Sequence, residues 1–275
     1  TKYIEIYITR LNSEFEERQI MLSVFRDVTD KKNYEKGLEL AKVKAEEANK
    51  LKSNILSNMS HEVRTPLNGI LGSTENIMEQ WGDDPELVSQ LEIIYESGER
   101  LLSTINSILD MAKIEANKFE VIYKEANVND FVGKVLLPLK TLAIKKGLLL
   151  STKFETKSFV GIIDQRYLGM IINNLVGNAI KYTDEGLISI KVRKVNENLV
   201  FEVFDNGIGM TEEFMKKLFR PFEQESGGYG RKYEGTGLGL TITKNLIDIL
   251  NGTIQIESTK GKGTYVKVEL PLGKI

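Results

Sequence analysis

Residues 57–70 read SNMSHEVRTPLNGI and contain the only histidine of the chain, His61. No glycine or proline interrupts residues 38–65, so this histidine is predicted to lie within a long helix. Pro66 cannot donate a hydrogen bond to the carbonyl four residues back, which predicts a looser helix just beyond His61. Because imidazole has many uses in proteins, the role of His61 has to be inferred from the residues on either side.

Composition indicates an ordinary globular protein. The 275 residues are 41% hydrophobic and 28% charged, which fits one or two folded domains. The formal net charge of -2 offers no broad basic surface, so we expect no nucleic acid partner and no membrane contact by this segment. Cysteine is absent and no apolar run approaches a membrane span. We expect a cytoplasmic location, either free or as part of a membrane-anchored sensor.

The chain before the long helix has a two-residue periodicity. Apolar residues alternate over residues 3–11 and 20–28, which predicts a β-hairpin. Two strands are marginally stable alone, so the hairpin must pack on a partner or end a domain. FRDVTD, residues 25–30, resembles the closing strand and exit motif of PAS sensor domains, which makes residues 1–30 the end of such a domain. An unrelated hairpin is the alternative.

The long helix is predicted from about Asn33 to Gln80, with Thr29 or Asp30 as its N-cap. Its first half has a heptad rhythm that is typical of a dimeric coiled coil. The residues of this seam are Leu38, Ala41, Ala45, Ala48, Lys52, Ile55 and Met59. Because three of them are alanines and one is a lysine, a solvated charged helix is the alternative.

A second amphipathic helix is predicted after Gly82, with Asp84 as its cap and Pro85 in its first turn. Its apolar residues keep a spacing of three and four: Leu87, Leu91, Ile94, Gly98, Leu101, Ile105, Ile108 and Ala112. A helical hairpin buries such a stripe best against a copy of itself, so residues 31–118 are predicted to form a four-helix bundle in a homodimer.

Strand and helix patterns alternate from Phe119 to the end of the chain. Strands are predicted at 119–123, 148–154, 188–195, 199–205, 253–258 and 264–270, and helices at 128–145, 165–182, 211–219 and 238–251. The fold class is therefore α+β and multidomain, with a helical bundle followed by an α/β sandwich at 119–275.

Three polar residues share one face of the helix predicted at 165–182. Asn174 and Asn178 are four positions apart, and Lys181 lies three beyond Asn178. Amide oxygens suit a Mg²⁺ ion that keeps most of its waters and phosphate ligands, and lysine suits phosphate. A fortuitous polar face is the alternative for these residues taken alone.

Asp205 ends a predicted strand and is followed by Gly207 and Gly209. Its carboxylate can accept a hydrogen bond from an exocyclic amine, and the glycines let the main chain approach a base. A simple turn is the alternative interpretation.

A glycine-rich stretch at 227–239 precedes the last predicted helix. Main-chain N–H groups at a helix N-terminus favour phosphate. Arg231 and Lys232 either reach that phosphate from a lid or belong to a solvated loop. A dinucleotide-binding fingerprint does not fit, because these glycines follow a short helix, and the GK[ST] of a P-loop is absent.

Several segments, in this order, make the chain resemble the sensor histidine kinases of two-component systems, with a Bergerat-type ATP-binding fold like that of gyrase. They are SHEVRTPLN (60–68), NNLVGNAIKYT (173–183), DNGIGM (205–210), LFRPFEQ (218–224), GTGLGL (235–240) and GKGT (261–264). The resemblance implies that His61 is the phospho-acceptor and that Glu62 is its general base or orienter. It also implies that Thr65 orients water for dephosphorylation of a response regulator.

The resemblance implies ATP and Mg²⁺ as cofactors, with the metal on Asn178 and the adenine amino group on Asp205. The predicted nucleotide-binding residues are Asn174, Asn178, Lys181, Tyr182, Asp205, Gly207, Gly209, Arg231, Lys232, Gly235, Thr236, Gly237, Leu238, Gly239 and Thr264. The expected partners are a second copy and the receiver domain of a response regulator. That domain is either separate or part of the same parent chain, as in hybrid kinases.

Two other functions stay open on the sequence alone. A nucleotide-binding dimer that signals only by conformation would keep the glycines but would not need His61, Glu62 and Asn178 together. An ATPase of the gyrase or heat-shock chaperone type would share the ATP-binding fold. It would release phosphate and would not need a histidine-bearing hairpin.

Overall fold

The computed structural model describes residues 2–12, 19–115, 120–225 and 235–273. They belong to two compact units, Thr1–Ile55 and Leu56–Ile275. The first unit begins with an antiparallel hairpin of β1 (Ile4–Asn12) and β2 (Gln19–Asp27), with Ile6 opposite Phe25. The predicted hairpin is confirmed, and its assignment to a PAS-like domain stays a prediction.

The long helix α1 (Thr29–Gln80) begins about four residues earlier than expected. The Asp27 carboxylate accepts hydrogen bonds from the N–H and the hydroxyl of Thr29, at 2.9 and 2.6 Å. The predicted N-cap at Thr29 or Asp30 is therefore wrong, because both residues lie in the first turn. The helix continues through Pro66 and ends at Gln80, as predicted.

The predicted coiled-coil seam lies on the surface of the single chain. Its described side chains are all exposed, namely Leu38, Ala41, Ala45, Ala48, Ile55 and Met59. The Lys52 side chain lies outside the described part of the chain. Exposure leaves these residues accessible to a second copy, and the coiled coil stays a prediction.

Helix α2 (Pro85–Glu115) packs antiparallel on the second half of α1. Asp84 accepts hydrogen bonds from the N–H groups of Glu86 and Leu87, both at 3.1 Å, so the predicted cap is confirmed. A methyl group on Gly98 would lie 2.6 Å from Cδ2 of Leu71, so the small residue permits a close helix crossing. No helix within the described ranges is long and apolar enough to cross a bilayer.

The remaining elements form an α/β sandwich, as predicted. In chain order they are β3 (Lys124–Asn127), α3 (Val128–Lys145), β4 (Leu149–Phe154), β5 (Val160–Ile163), α4 (Gln165–Tyr182), β6 (Leu187–Val195), β7 (Asn198–Asp205), α5 (Glu212–Met215), α6 (Gly239–Ile249), β8 (Thr253–Thr259) and β9 (Gly263–Pro271). A five-stranded sheet has the order β4-β6-β7-β9-β8, with β4 parallel to β6 and the other pairs antiparallel. Strands β3 and β5 form a separate antiparallel pair.

One face of the five-stranded sheet packs on α3, α4 and α6. Strand β6 illustrates the alternation, because Ile188, Ile190 and Val192 are fully buried while Lys191 is exposed. Helix α4 supplies Ile171, Ile172 and Val176 to the same core, all with no exposed surface. This buried position fixes α4, whose opposite face is then free to form a binding site.

The predicted strand at 119–123 is wrong for residues 120–123, and Phe119 lies outside the described residues. The N–H of Ile122 donates to Oδ2 of Asp164 at 2.7 Å. The guanidinium of Arg166 and the hydroxyl of Tyr167 both donate to the carbonyl of Glu120, at 2.9 and 3.0 Å. These side chains at the start of α4 bind main-chain groups of Glu120 and Ile122 that would otherwise bond to a neighbouring strand. Helix α5 is also shorter than the predicted 211–219, and strands β3 and β5 were not predicted.

Candidate nucleotide and phospho-acceptor sites

A cleft of about 1340 Å³ lies between α2, α4, the end of β7 and the loop before α6. Twelve of the predicted nucleotide-binding residues line it, namely Asn174, Asn178, Lys181, Tyr182, Asp205, Gly209, Gly235, Thr236, Gly237, Leu238, Gly239 and Thr264. Gly207 is buried beside it. Arg231 and Lys232 lie outside the described residues, so their role stays a prediction.

Two glycines bring the loop before α6 against the polar face of α4. A methyl group on Gly239 would lie 3.1 Å from Oδ1 of Asn174, and one on Gly235 would lie 2.6 Å from Nζ of Lys181. Leu238 is the N-cap of α6, and among the described residues no side chain caps that helix end. The uncapped N–H groups and the Lys181 ammonium make this end of the cleft electropositive.

Asp205 lies at the other end of the cleft and is only 7% exposed. Its Oδ1 accepts a hydrogen bond from the N–H of Gly207 at 2.9 Å. Burial raises the pKa of Asp205, while the main-chain N–H groups of Gly207 and Thr264 act in the opposite direction. The carboxylate is thus a buried acceptor with capacity for a further hydrogen-bond donor.

Two crowded glycines hold this part of the site together. Gly209 has a φ of 58°, and a methyl group there would lie 2.0 Å from the carbonyl oxygen of Thr259. Gly263 has a φ of 95°, and a methyl group there would lie 2.0 Å from the carbonyl oxygen of Asp205. The turn between β8 and β9 therefore packs main chain to main chain on the segment that follows Asp205.

Sequence reasoning did not identify Ser258 as a site residue, because the segment TIQIES, residues 253–258, was interpreted only as a strand. The Ser258 hydroxyl donates to the carbonyl of Gly263 at 2.9 Å and accepts from the N–H of Met210 at 2.9 Å. It also lies 3.0 Å from the hydroxyl of Thr264. Ser258 therefore fixes the predicted Thr264 beside Asp205, a role that no local pattern signals.

Glu225 and Lys260 are a further missed pair at the rim of the cleft. Lys260 donates to Oε2 of Glu225 at 2.7 Å, and the N–H of Thr211 donates to Oε1 at 2.8 Å. Burial alone would raise the pKa of Glu225, but the Lys260 and Thr211 donors outweigh it and hold that pKa below its usual range. This pair fixes the chain at Glu225, the last described residue before the glycine-rich stretch.

Lys146, also missed, binds the C-terminal end of α4. Its ammonium donates to the carbonyl oxygens of Ile180 and Lys181, at 2.8 and 2.9 Å. Carbonyls at a helix C-terminus have no partner within the helix, and a cation there is favourable. Lys146 therefore holds the end of the helix that carries Asn178 and Lys181.

The predicted phospho-acceptor His61 and its neighbours are not among the described residues that line the cleft. His61, Glu62 and Thr65 are exposed on α1, and none of them is among the described residues that line the cleft. The α2 side of the cleft is formed instead by Ser97, Arg100, Leu101, Ser103, Thr104, Ser107 and Ile108. Arg64 donates to Oδ1 of Asn106 at 2.8 Å, which places His61 near the C-terminal end of α2. The structure thus brings twelve of the predicted nucleotide-binding residues together in one cleft, and His61 is not among the described residues that line it.

Two domain families cover most of this architecture. Residues 51–117 match the His Kinase A (phospho-acceptor) domain, and residues 163–274 match the histidine kinase-, DNA gyrase B- and HSP90-like ATPase. The autoinducer 2 sensor kinase/phosphatase LuxQ of Vibrio harveyi is 37% identical over 254 residues, covering 90% of this chain and 30% of LuxQ. The chain belongs to the sensor histidine kinase family.

Other histidine kinases give the same picture. The sensor protein GacS of Pseudomonas syringae is 39% identical over 243 residues, covering 86% of this chain and 27% of GacS. An uncharacterised sensor-like histidine kinase of Rhizobium meliloti is 37% identical over 252 residues, covering 90% of this chain and 48% of the relative. This histidine kinase chain therefore spans from about one quarter to about one half of the length of these relatives.

Solved structures agree with the kinase fold. Full-length ShkA in complex with AMPPNP matches with a TM-score of 0.65 and 27% identity, over 80% of this chain and 46% of ShkA. Acinetobacter baumannii AdeS matches with a TM-score of 0.53 and 24% identity, over 78% of this chain and 98% of that structure, and shows the fold alone.

Proposed function

We propose that this histidine kinase chain binds ATP with Mg²⁺, transfers the γ-phosphoryl group to His61 and passes it to an aspartate of a response regulator. The observation that carries this proposal is the convergence of Asn174, Lys181 and the start of α6 at one end of a cleft that has Asp205 at the other. An electropositive end suits phosphates, and a buried carboxylate acceptor suits the amino group of adenine.

The side chains present fit a Mg-nucleotide. Asn178 lies one helical turn from Asn174 on α4 and lines the cleft, so its amide oxygen is available as a metal ligand. Mg²⁺ bound there would neutralise charge on the phosphates. Lys181 would add a positive charge beside Gly235, and the N–H groups at the start of α6 would donate to phosphate oxygens.

At the acceptor, one imidazole nitrogen of His61 would form a bond to the γ-phosphorus while the bond to the β,γ-bridging oxygen breaks. ADP leaves with the electrons of that bond. Glu62 would take the proton of the attacking ring or orient the ring for attack. Neighbouring helical residues point in different directions, so the Glu62 side chain must bend back to reach the imidazole.

The exposed position of His61 means that a histidine and the cleft have to be brought together before transfer. Because His61 does not line the cleft, the ATP-binding domain must move along the hairpin or act on the histidine of a second copy. In-line phosphoryl transfer depends on close positioning, so this movement would decide when the kinase is active.

The proposed assembly is a homodimer with a response regulator as its partner. Its support is the exposed seam of α1 and the match to the phospho-acceptor domain. The name of LuxQ includes a phosphatase activity, and Thr65 is the proposed residue for that activity here. The proposed domains are a PAS-like end at 1–30, the coiled coil and dimerisation domain at 31–118 and the ATP-binding domain at 119–275, all in a cytoplasmic setting.

Incubation with [γ-³²P]ATP and Mg²⁺ tests this function. We expect acid-labile, alkali-stable label on the protein, none on His61→Gln and transfer of the label to a receiver domain. Asn178→Asp and Asp205→Asn should reduce labelling of an intact His61. Labelling of His61→Gln equal to the wild type would contradict the proposal. Phosphate release without labelled protein would instead identify an ATPase of the gyrase or chaperone type.

A further inference from the structure

Thr183 is a buried residue at the end of α4 that the proposed mechanism does not use. It is the C-cap of the helix, in an extended conformation with φ -107° and ψ 117°. The residue has no exposed surface, and its hydroxyl has no hydrogen-bond partner among the described residues. A buried hydroxyl without a partner is unfavourable, and valine would have the same shape without that cost.

The neighbours of Thr183 belong to the base-binding end of the cleft. A methyl group on Gly207 would lie 2.9 Å from Oγ1 of Thr183 and 2.9 Å from Oδ1 of Asp205. Gly207 therefore keeps the space between these two oxygens free. The carbonyl of Tyr182, next to Thr183, accepts a hydrogen bond from the N–H of Ile208 at 3.1 Å, which holds the two segments side by side.

The chemistry of the two groups is complementary. The hydroxyl of Thr183 can donate one hydrogen bond, and an ionised Asp205 can only accept. Two main-chain N–H groups already bind the Asp205 carboxylate, from Gly207 and Thr264. A third donor would favour the ionised carboxylate and fix the direction of its free lone pairs.

We propose that Thr183 is a positioning residue for base recognition, whose hydroxyl donates to Asp205, directly or through one water, when a nucleotide is bound. The inference rests on the proposed function, because it takes Asp205 as the acceptor for the amino group of adenine. Guanine carries a carbonyl at the corresponding ring position and offers Asp205 no donor there. Thr183 would therefore contribute to selectivity for adenine over guanine and not to phosphate binding.

Binding of fluorescent mant-ADP and mant-GDP to the 275-residue chain, with Mg²⁺, tests this inference. We expect Thr183→Val to bind mant-ADP about tenfold more weakly and mant-GDP unchanged, as for loss of one hydrogen bond to a charged group. Thr183→Ser retains the hydroxyl and should have the wild-type ratio of the affinities for mant-ADP and mant-GDP. Should Thr183→Val not fold, Thr183→Ala provides the same comparison.

Thr243→Val is a matched control. Thr243 is also fully buried, with a hydroxyl that lacks a partner within the described ranges, but it lies within α6, whereas Thr183 lies beside Gly207. We expect both affinities of this variant to equal those of the wild type. Unchanged mant-ADP binding by Thr183→Val, or an equal loss for both nucleotides, would overturn the role of Thr183. Failure of the wild type to bind mant-ADP would instead remove the proposed function itself.

Discussion

The hydroxyl of Thr65 donates a hydrogen bond to the carbonyl oxygen of His61, one helical turn away, at 3.1 Å. The proton of this hydroxyl is therefore occupied, while its oxygen is exposed and keeps lone pairs free to accept. A water that attacks a phosphorylated aspartate could donate a hydrogen bond to this oxygen. The geometry thus gives Thr65 a way to orient water without breaking its bond to the helix.

Replacement of Thr65 by alanine should separate the two proposed activities. We expect Thr65→Ala to retain labelling of His61 within about twofold, since the hydroxyl is not needed for attack on ATP. Dephosphorylation of a labelled receiver domain should fall by about tenfold or more, as expected for loss of one oriented hydrogen bond. Both rates are measured with the same purified protein.

Thr74 provides the control for helix effects. Its hydroxyl makes the same type of bond, to the carbonyl of Ile70 at 2.8 Å, but the residue is buried. Thr74→Ala should leave the dephosphorylation rate at the wild-type level. Equal losses in Thr65→Ala and Thr74→Ala would show that a change in the helix, rather than a positioned hydroxyl, explains the result.

Local sequence signals predicted the long elements well. Helices α3 and α4 have the predicted bounds, because Asn127 and Asp164 cap their starts and the apolar periodicity between is strong. The strands of the five-stranded sheet were also predicted from their apolar patterns, and β6 shows the alternation of buried and exposed residues. These elements are determined by interactions between residues that are close in the sequence.

Contacts between distant segments could not be predicted from local patterns. Residues 120–123 have the composition of a strand, but Asp164, Arg166 and Tyr167 bind them from the start of α4. The same limit applies to Lys146 at the end of α4 and to Ser258 beside Thr264. Each of these roles depends on which elements become neighbours in the folded chain.

Two glycines should respond differently to replacement by alanine, namely Gly261 in the turn after β8 and Gly209, which follows β7 and packs on that turn. Both have positive φ values, 58° at Gly209 and 77° at Gly261. A methyl group on Gly209 would meet the carbonyl of Thr259, whereas one on Gly261 would have no described atom within 4 Å. We expect Gly261→Ala to lower the free energy of unfolding by about 1–2 kcal/mol, the conformational cost alone.

Gly209→Ala should be far more damaging, because strain and a main-chain clash add to that cost. We expect a loss of more than about 3 kcal/mol and no measurable binding of ADP. Urea unfolding and nucleotide binding of the two variants give the comparison. Similar unfolding free energies for both would mean that the turn moves away from residue 209 easily, contrary to the packed arrangement.

Asp164 should stabilise the fold in a way that depends on pH. Its side chain has no exposed surface, whereas the side chain of its ion-pair partner Arg166 is 55% exposed. Because solvent weakens an exposed ion pair, the buried N–H donors contribute more to the stability of the fold than the ion pair does. Burial alone would raise the pKa of Asp164, but the bonds from Arg166, Ile122 and Tyr167 outweigh it and hold that pKa below its usual value. We expect Asp164→Asn to lower the free energy of unfolding by about 2 kcal/mol at pH 7, because an amide N–H₂ would face the N–H of Ile122.

A depressed pKa in the folded state means that the stabilisation is complete above the unfolded pKa of about 3.9 and is lost as pH falls through the folded value. The difference in unfolding free energy between the wild type and Asp164→Asn should therefore be constant from about pH 8 to pH 5 and shrink below about pH 4. Asn127→Ala removes the neutral cap of α3 and should cost about 1 kcal/mol at every pH. Urea unfolding across this pH range gives the free energies of the wild type, Asp164→Asn and Asn127→Ala. A difference between the wild type and Asp164→Asn that grows in acid would contradict the assigned hydrogen bonds.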